Sequence, residues 1–248
     1  MEEKVIKELK GHSGSKIFLM RNEDIFFVRK QGNVERNFER LSHLYADLYP
    51  VPIIYQKYDD ILDMEYIHGH DMKSYLTSGN IELLANFIIA NLNKFAKNSI
   101  VKDYTEVYNH KLAFVDTAKD LPFTKDELIT RLPKRLPSSN YHGDLTLENI
   151  LHSNDSFYMI DAVTVEYDSY IFDIAKLRQD LDCKWFLRNS KLMLDVKLQN
   201  LQEKILSRFS GAENDNLLIL MLLRVYQHTQ ENDDNRKFIL KEIQRLWK

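Results

Sequence analysis

Between Lys16 and Lys30 the chain carries two short runs of aromatic and β-branched residues with one polar break. Lys16–Met20 and Ile25–Lys30 flank Arg21-Asn22-Glu23-Asp24, a pattern that predicts a β-hairpin. The period then changes. Val34, Phe38, Leu41, Leu44, Tyr45 and Leu48 recur at helical spacing behind Asn33, a good N-cap residue. Pro50 and Pro52 close that helix. Two further strands are expected near 53–58 and 61–66, so the first part reads as a small sheet with one inserted helix.

After Gly69 the pattern is mostly helical. Ile81–Ala96 is amphipathic, and 103–119 is expected to form a second helix. Pro122, Pro133 and Pro137 punctuate the next stretch of chain. Residues 149–152 and 157–161 are short apolar runs around Ser153-Asn154-Asp155-Ser156, which predicts another hairpin. From about Ile171 to Trp247 several helices are expected, with loops near 210–211 and 231–235. No internal repeat interrupts this order.

Composition narrows the classes. A chain of 248 residues holds one large domain or two lobes. Hydrophobic content of 44% and charged content of 29% fit a soluble globular protein. A net charge of -3 provides no basic excess for phosphates along a nucleic acid. Cys183 is the sole cysteine, so no internal disulfide can form and a reducing cytoplasm is the expected setting. The start, Met1-Glu2-Glu3-Lys4, has no apolar run behind it, and Leu217–Leu223 is too short to span a bilayer. Neither a secretory signal nor a membrane partner is expected. His68, His70 and His152 match no compact zinc spacing.

One segment carries chemistry: Tyr141-His142-Gly143-Asp144-Leu145-Thr146-Leu147-Glu148-Asn149, with Met159-Ile160-Asp161 beyond it. Phosphoryl transfer needs a carboxylate to orient an attacking hydroxyl and take its proton. It also needs oxygen ligands for the cation that neutralises a triphosphate. Asp144 suits the first task; Asn149 and Asp161 suit the second and are the expected metal ligands. An isolated Asp beside an apolar run is usually a turn residue; the spaced set is what points to catalysis.

His-Gly-Asp-x-x-x-x-Asn followed by Ile-Asp resembles the signature of the aminoglycoside phosphotransferase and choline kinase family. The resemblance implies an α+β, protein-kinase-like bilobal fold. A small antiparallel-sheet lobe with one helix (1–66) would carry the nucleotide, and a larger, mainly helical lobe (67–248) would carry the catalytic loop and acceptor pocket. Protein kinases place Arg where this chain has Gly143, and Asp-Phe-Gly where it has Asp161-Ala162-Val163. These departures favour a small-molecule acceptor over a protein.

The same resemblance assigns further roles. Gly11-His12-Ser13-Gly14-Ser15 sits where the family's phosphate-covering loop lies, with Ser13, Gly14 and Ser15 as candidate nucleotide contacts. Lys30 resembles the strand lysine on the α- and β-phosphates. It is favoured over Arg29 because Val28 and Lys30 share one strand face. Glu39 is the chosen partner for Lys30, with Glu35 one turn earlier as the alternative. Leu62–Gly69 resembles the passage between lobes, where Glu65 would offer its carbonyl and Ile67 its amide to adenine. Asp173, in Phe172-Asp173-Ile174-Ala175, resembles an aspartate that braces the catalytic loop. Asp180, Asp182, Trp185, Tyr226, Glu231, Asp233 and Asp234 are candidates for the acceptor pocket.

The expectation is thus a cytoplasmic, ATP- and Mg²⁺-dependent O-phosphotransferase acting on a sugar, aminoglycoside or choline-like amino alcohol. The alternatives are a protein kinase and a non-catalytic nucleotide-binding scaffold. The acceptor and the oligomeric state are not written in the chain.

Overall fold

The computed structural model describes residues 3–9 and 14–248. The chain forms two compact units that share it in turns. The first takes the residues up to Ser78, then His142–Asp144 and Glu148–Val165; the second takes Gly79–Tyr141, Leu145–Leu147 and Glu166–Lys248.

The chain opens with β1 (Lys4–Leu9), β2 (Lys16–Asn22) and β3 (Ile25–Gln31), followed by helix α1 (Glu35–Ala46) and strands β4 (Ile54–Tyr58) and β5 (Ile61–Glu65). They build a five-stranded antiparallel sheet in the order β1-β2-β3-β5-β4. The expected hairpin of β2 and β3 is present, with Glu23 at φ 53° in its turn. The N-cap expected at Asn33 falls instead on Val34, and no side chain caps α1 there. Leu41 and Leu44 of α1 are fully buried, as the helical period requires. The short strand β6 (His70–Asp71) and helix α2 (Met72–Ser78) follow.

In the second unit, α3 (Ile81–Ala96) has the predicted bounds, because Asn80 accepts a hydrogen bond from the Glu82 amide and starts the helix. Such a cap contributes about 1 kcal/mol. The helix expected over 103–119 is shorter: it divides into β7 (Ile100–Asp103), α4 (Thr105–Lys111) and a 3₁₀ turn at Ala113–Thr117. Next come α5 (Lys125–Arg131), which carries a Thr124–Glu127 capping box, and β8 (Arg135–Ser138), which pairs with β7.

The chain then returns to the first unit through β9 (Ile150–Ser153) and β10 (Ser156–Met159). Asn154 and Asp155 both have positive φ, 48° and 62°, the conformation that a two-residue hairpin turn demands and these residue types tolerate. β9 lies between β10 and β6. The second unit closes with α6 (Tyr170–Leu181), α7 (Asp195–Leu206), α8 (Asp215–Tyr226) and α9 (Asp234–Leu246). Leu217–Leu223 is buried within α8, so the longest apolar run is a core helix. Among the described residues, no helix is long and apolar enough to cross a membrane. The α+β class read from the sequence is the one observed.

Candidate active site

The first unit assembles the polar residues that the sequence singled out. Lys30 leaves β3 on the face opposite Arg29, as alternation dictates. Arg29 is taken by Asp63, its cross-strand partner on β5, through two hydrogen bonds of 2.7 Å. Lys30, only 3% exposed, donates to Asp161 Oδ1 at 2.6 Å. Of the two neighbouring cations, Lys30 is therefore the one that reaches Asp161, while Arg29 is held by Asp63.

The expected Lys30–Glu39 pair is not the one observed. Glu39 lies on the exposed side of α1, and Glu35 is paired with Lys57 at 2.5 Å. The buried face of α1 presents Asn37 and Arg40 instead. Asn37 donates through Nδ2 to Asp161 Oδ1 at 3.0 Å and to the Ala162 carbonyl at 2.8 Å. Sequence reading missed Asn37 because a carboxylate was sought for the lysine. Its recurrence with Leu41 and Leu44 on the buried face was the available signal.

Asp161 follows β10 with φ 57°, an unusual backbone state for a residue with a side chain. Four hydrogen bonds to main-chain groups hold the segment around it: Ile160 N to Asn149 O, Val163 N to His142 O, Thr164 N to Arg36 O, and Asn37 to Ala162 O. Desolvation by the surrounding chain raises the pKa of Asp161, and Lys30 opposes that rise. The Asp161 side chain is still 39% exposed, which leaves it open to a ligand.

Asp144 and Asn149 meet within the loop. Asn149 Nδ2 donates to the Asp144 carbonyl at 2.8 Å and to its carboxylate at 3.2 Å. That use of the amide nitrogen leaves the Asn149 carbonyl oxygen as the atom available to a cation. His142, just before, is completely buried. Burial lowers its pKa to about 4, against the raising effect of Asp144, so the imidazole is neutral at pH 7. Gly143 has φ 91°, and a β-carbon there would lie 2.0 Å from the Val163 carbonyl oxygen. The glycine that the sequence marked as a departure from protein kinases is thus also a steric requirement.

The remaining predicted contacts are dispersed. Ser13 lies outside the described residues, as do Gly11 and His12. Gly14 is exposed with φ 75°, and Ser15 is half-buried beside Gly32. On β5, the Glu65 amide donates to the Ile53 carbonyl and its carboxylate accepts from the Ile53 amide. Ile67 is buried. Gly69 serves close packing: a β-carbon there would lie 2.3 Å from the His152 carbonyl oxygen. His70 and His152 face each other across β6 and β9, and His152 packs on Tyr75 and Phe157.

In the second unit, Asp173 is 2% exposed. Asp180, read as an acceptor-pocket candidate, is a structural anchor. It is fully buried and accepts from the Leu147 amide at 2.7 Å and the Phe186 amide at 3.1 Å. Asp182 is bound to Arg178, Trp185 packs under Arg188, and Tyr226 joins Asp120 and Arg236. Asp233 caps α9, and Asp234 pairs with Lys237. Helix and loop architecture accounts for these residues.

The fold is similar to that of several small-molecule kinases of solved structure. The chain is similar in fold to a thermostable mutant of aminoglycoside phosphotransferase APH(4)-Ia, with a TM-score of 0.66 at 10% identity over 98% of this chain and 94% of that one. It is likewise similar to an ethanolamine kinase of Plasmodium vivax (TM-score 0.63, 12% identity, 98% and 82% coverage). Choline kinase LicA of Streptococcus pneumoniae is a third such structure (TM-score 0.60, 17% identity, 98% and 93% coverage). No family model matches the sequence. No curated protein matches it significantly by sequence either.

Proposed function

We propose that this protein is an ATP-dependent phosphotransferase acting on a hydroxyl of a small polar molecule. The observation that carries the reading is the convergence of Lys30 on Asp161 at 2.6 Å within the unit that also joins Asn149 to Asp144 at 3.2 Å. A lysine, two carboxylates and an amide are the parts that in-line phosphoryl transfer requires.

Asp144 orients the acceptor hydroxyl and takes its proton as the oxygen attacks the γ-phosphorus and the bond to the β-phosphate oxygen breaks. The hydrogen bond from Asn149 keeps that carboxylate in place. Lys30 steadies the phosphates with its charge. Neutral His142 packs behind the loop and adds no charge to it.

Asn149 and Asp161 would hold Mg²⁺. Both offer hard oxygen donors, and the open part of the Asp161 side chain gives a cation access. Among the described residues no cluster of three His, Cys, Asp or Glu side chains would hold a metal by itself. A two-oxygen protein set suits an ion that takes its other ligands from phosphates and water. Bound there, Mg²⁺ supplies neutralisation of the triphosphate charge.

The fold neighbours support the reading without choosing the acceptor. They act on ethanolamine and choline in two cases, and APH(4)-Ia is known in a ternary complex with ADP and hygromycin B. Sugars, aminoglycosides and amino alcohols are the classes to try first.

The test is ATP consumption across a library of hydroxylated metabolites, repeated with Asp144→Asn. Turnover with one acceptor class, reduced about 10²–10⁴-fold by the substitution while ATP affinity is kept, supports the proposal. Magnesium-dependent ATP binding with no turnover on any acceptor would point to a scaffold instead.

A further inference from the structure

We infer that Asn37 is a positioning residue that sets Asp161 for cation binding, a role that rests on the phosphotransferase reading above. Helix α1 presents its buried face through Asn37, Arg40, Leu41 and Leu44, and neither of the glutamates considered for Lys30 lies on it. A primary amide has two N–H donors. Asn37 uses them on consecutive residues, one on Asp161 Oδ1 and one on the Ala162 carbonyl. A single side chain thus grips both the ligand carboxylate and the backbone that follows it.

The consequence for Asp161 is specific. Its φ of 57° lies in the left-handed region, where backbone bonds from its neighbours hold it. The bond from Asn37 to Ala162 is a further constraint. Lys30 and Asn37 also converge on the same oxygen, Oδ1. Among the described residues no hydrogen bond reaches Oδ2, so the carboxylate is oriented with one oxygen held and the other offered. A carboxylate at position 37 could not do this: it has no donor and would stand as a like charge about 3 Å from Asp161. The amide at position 37 is therefore chemically matched to Asp161.

The experiment compares the full-length protein with Asn37→Leu, which keeps the approximate volume, and Asn37→Ala, which cannot overpack. ADP affinity is measured by calorimetry with Mg²⁺ and with chelator, and ligand-free thermal unfolding is recorded alongside. The metal-dependent gain in ADP affinity is expected to fall about 10–100-fold in both variants, as for loss of an outer residue that orients a metal ligand. The metal-free affinity should stay within about threefold, since Asn37 is assigned no nucleotide contact. An unchanged metal-dependent gain in either folded variant overturns the role, as does an equal loss of metal-free and metal-dependent affinity. If wild type shows no magnesium-dependent ADP binding, the phosphotransferase reading itself fails, an outcome distinct from failure in the variants alone.

Discussion

The Val163 carbonyl oxygen lies 2.0 Å from where a β-carbon on Gly143 would stand. The same stretch is tied by the Val163 amide, which donates to the His142 carbonyl at 3.0 Å. The loop before Asp144 and the segment after Asp161 therefore run against each other with no room for a side chain at position 143.

Gly143→Ala should be destabilising by about 2–4 kcal/mol, since it combines a positive φ with a backbone clash. Urea unfolding followed by fluorescence gives the number. A change under about 0.5 kcal/mol would mean that the two segments can separate freely.

Stability should decline as the solution is acidified. His142 titrates near 4 in the folded chain because burial disfavours its charge. Its folded pKa lies below the ordinary value of about 6.5, so the unfolded chain binds the proton first. The contribution is complete above about pH 6.5 and is lost as pH falls toward 4, with a slope approaching 1.4 kcal/mol per pH unit. Unfolding free energies of wild type and His142→Gln across that window test this: the variant should lose much of the slope.

Asp180→Ala should unfold more readily, by about 2–5 kcal/mol, because two buried amides, of Leu147 and Phe186, each lose an acceptor oxygen. Asp180→Asn keeps an acceptor oxygen and should cost less. Equal denaturation midpoints for wild type and Asp180→Ala would refute the anchoring role.

Lys30→Met removes the cation that opposes desolvation of Asp161. The pKa of Asp161 should then rise further, so its ionised fraction at a given pH falls. The acid limb of kcat/KM for ATP should move to higher pH, and ADP binding should need more Mg²⁺. An unmoved acid limb would show that another group governs it.

Local signals were legible where they were complete. The periodic apolar run over 81–96 specified α3 to the residue. The Asn154-Asp155 pair specified a tight hairpin turn. Strand β8 was hidden because it is short and contains Pro137, a residue that argues against a strand, and it is held as one member of a two-stranded ribbon. The core of the candidate site was readable because its motif residues are close in sequence. Asn37 and Asp180 were not, since Asp161 lies 124 positions from the first and Leu147 lies 33 from the second. Only tertiary structure tells whether a helical Asn or Asp is a solvated residue or a buried clamp.

The interleaved course of the chain also constrains its birth. β6 must wait for β9, and Lys30 for Asp161, while residues 79–141 are made in between. At about 5–20 residues per second, the ribosome needs several seconds to deliver those partners. A nascent chain ending at Ser78 has its lysine but not the carboxylate that neutralises it. For the same reason, no contiguous fragment short of Asp161 can stand in for the first unit, and truncation from the C-terminus should lose its fold abruptly rather than by stages.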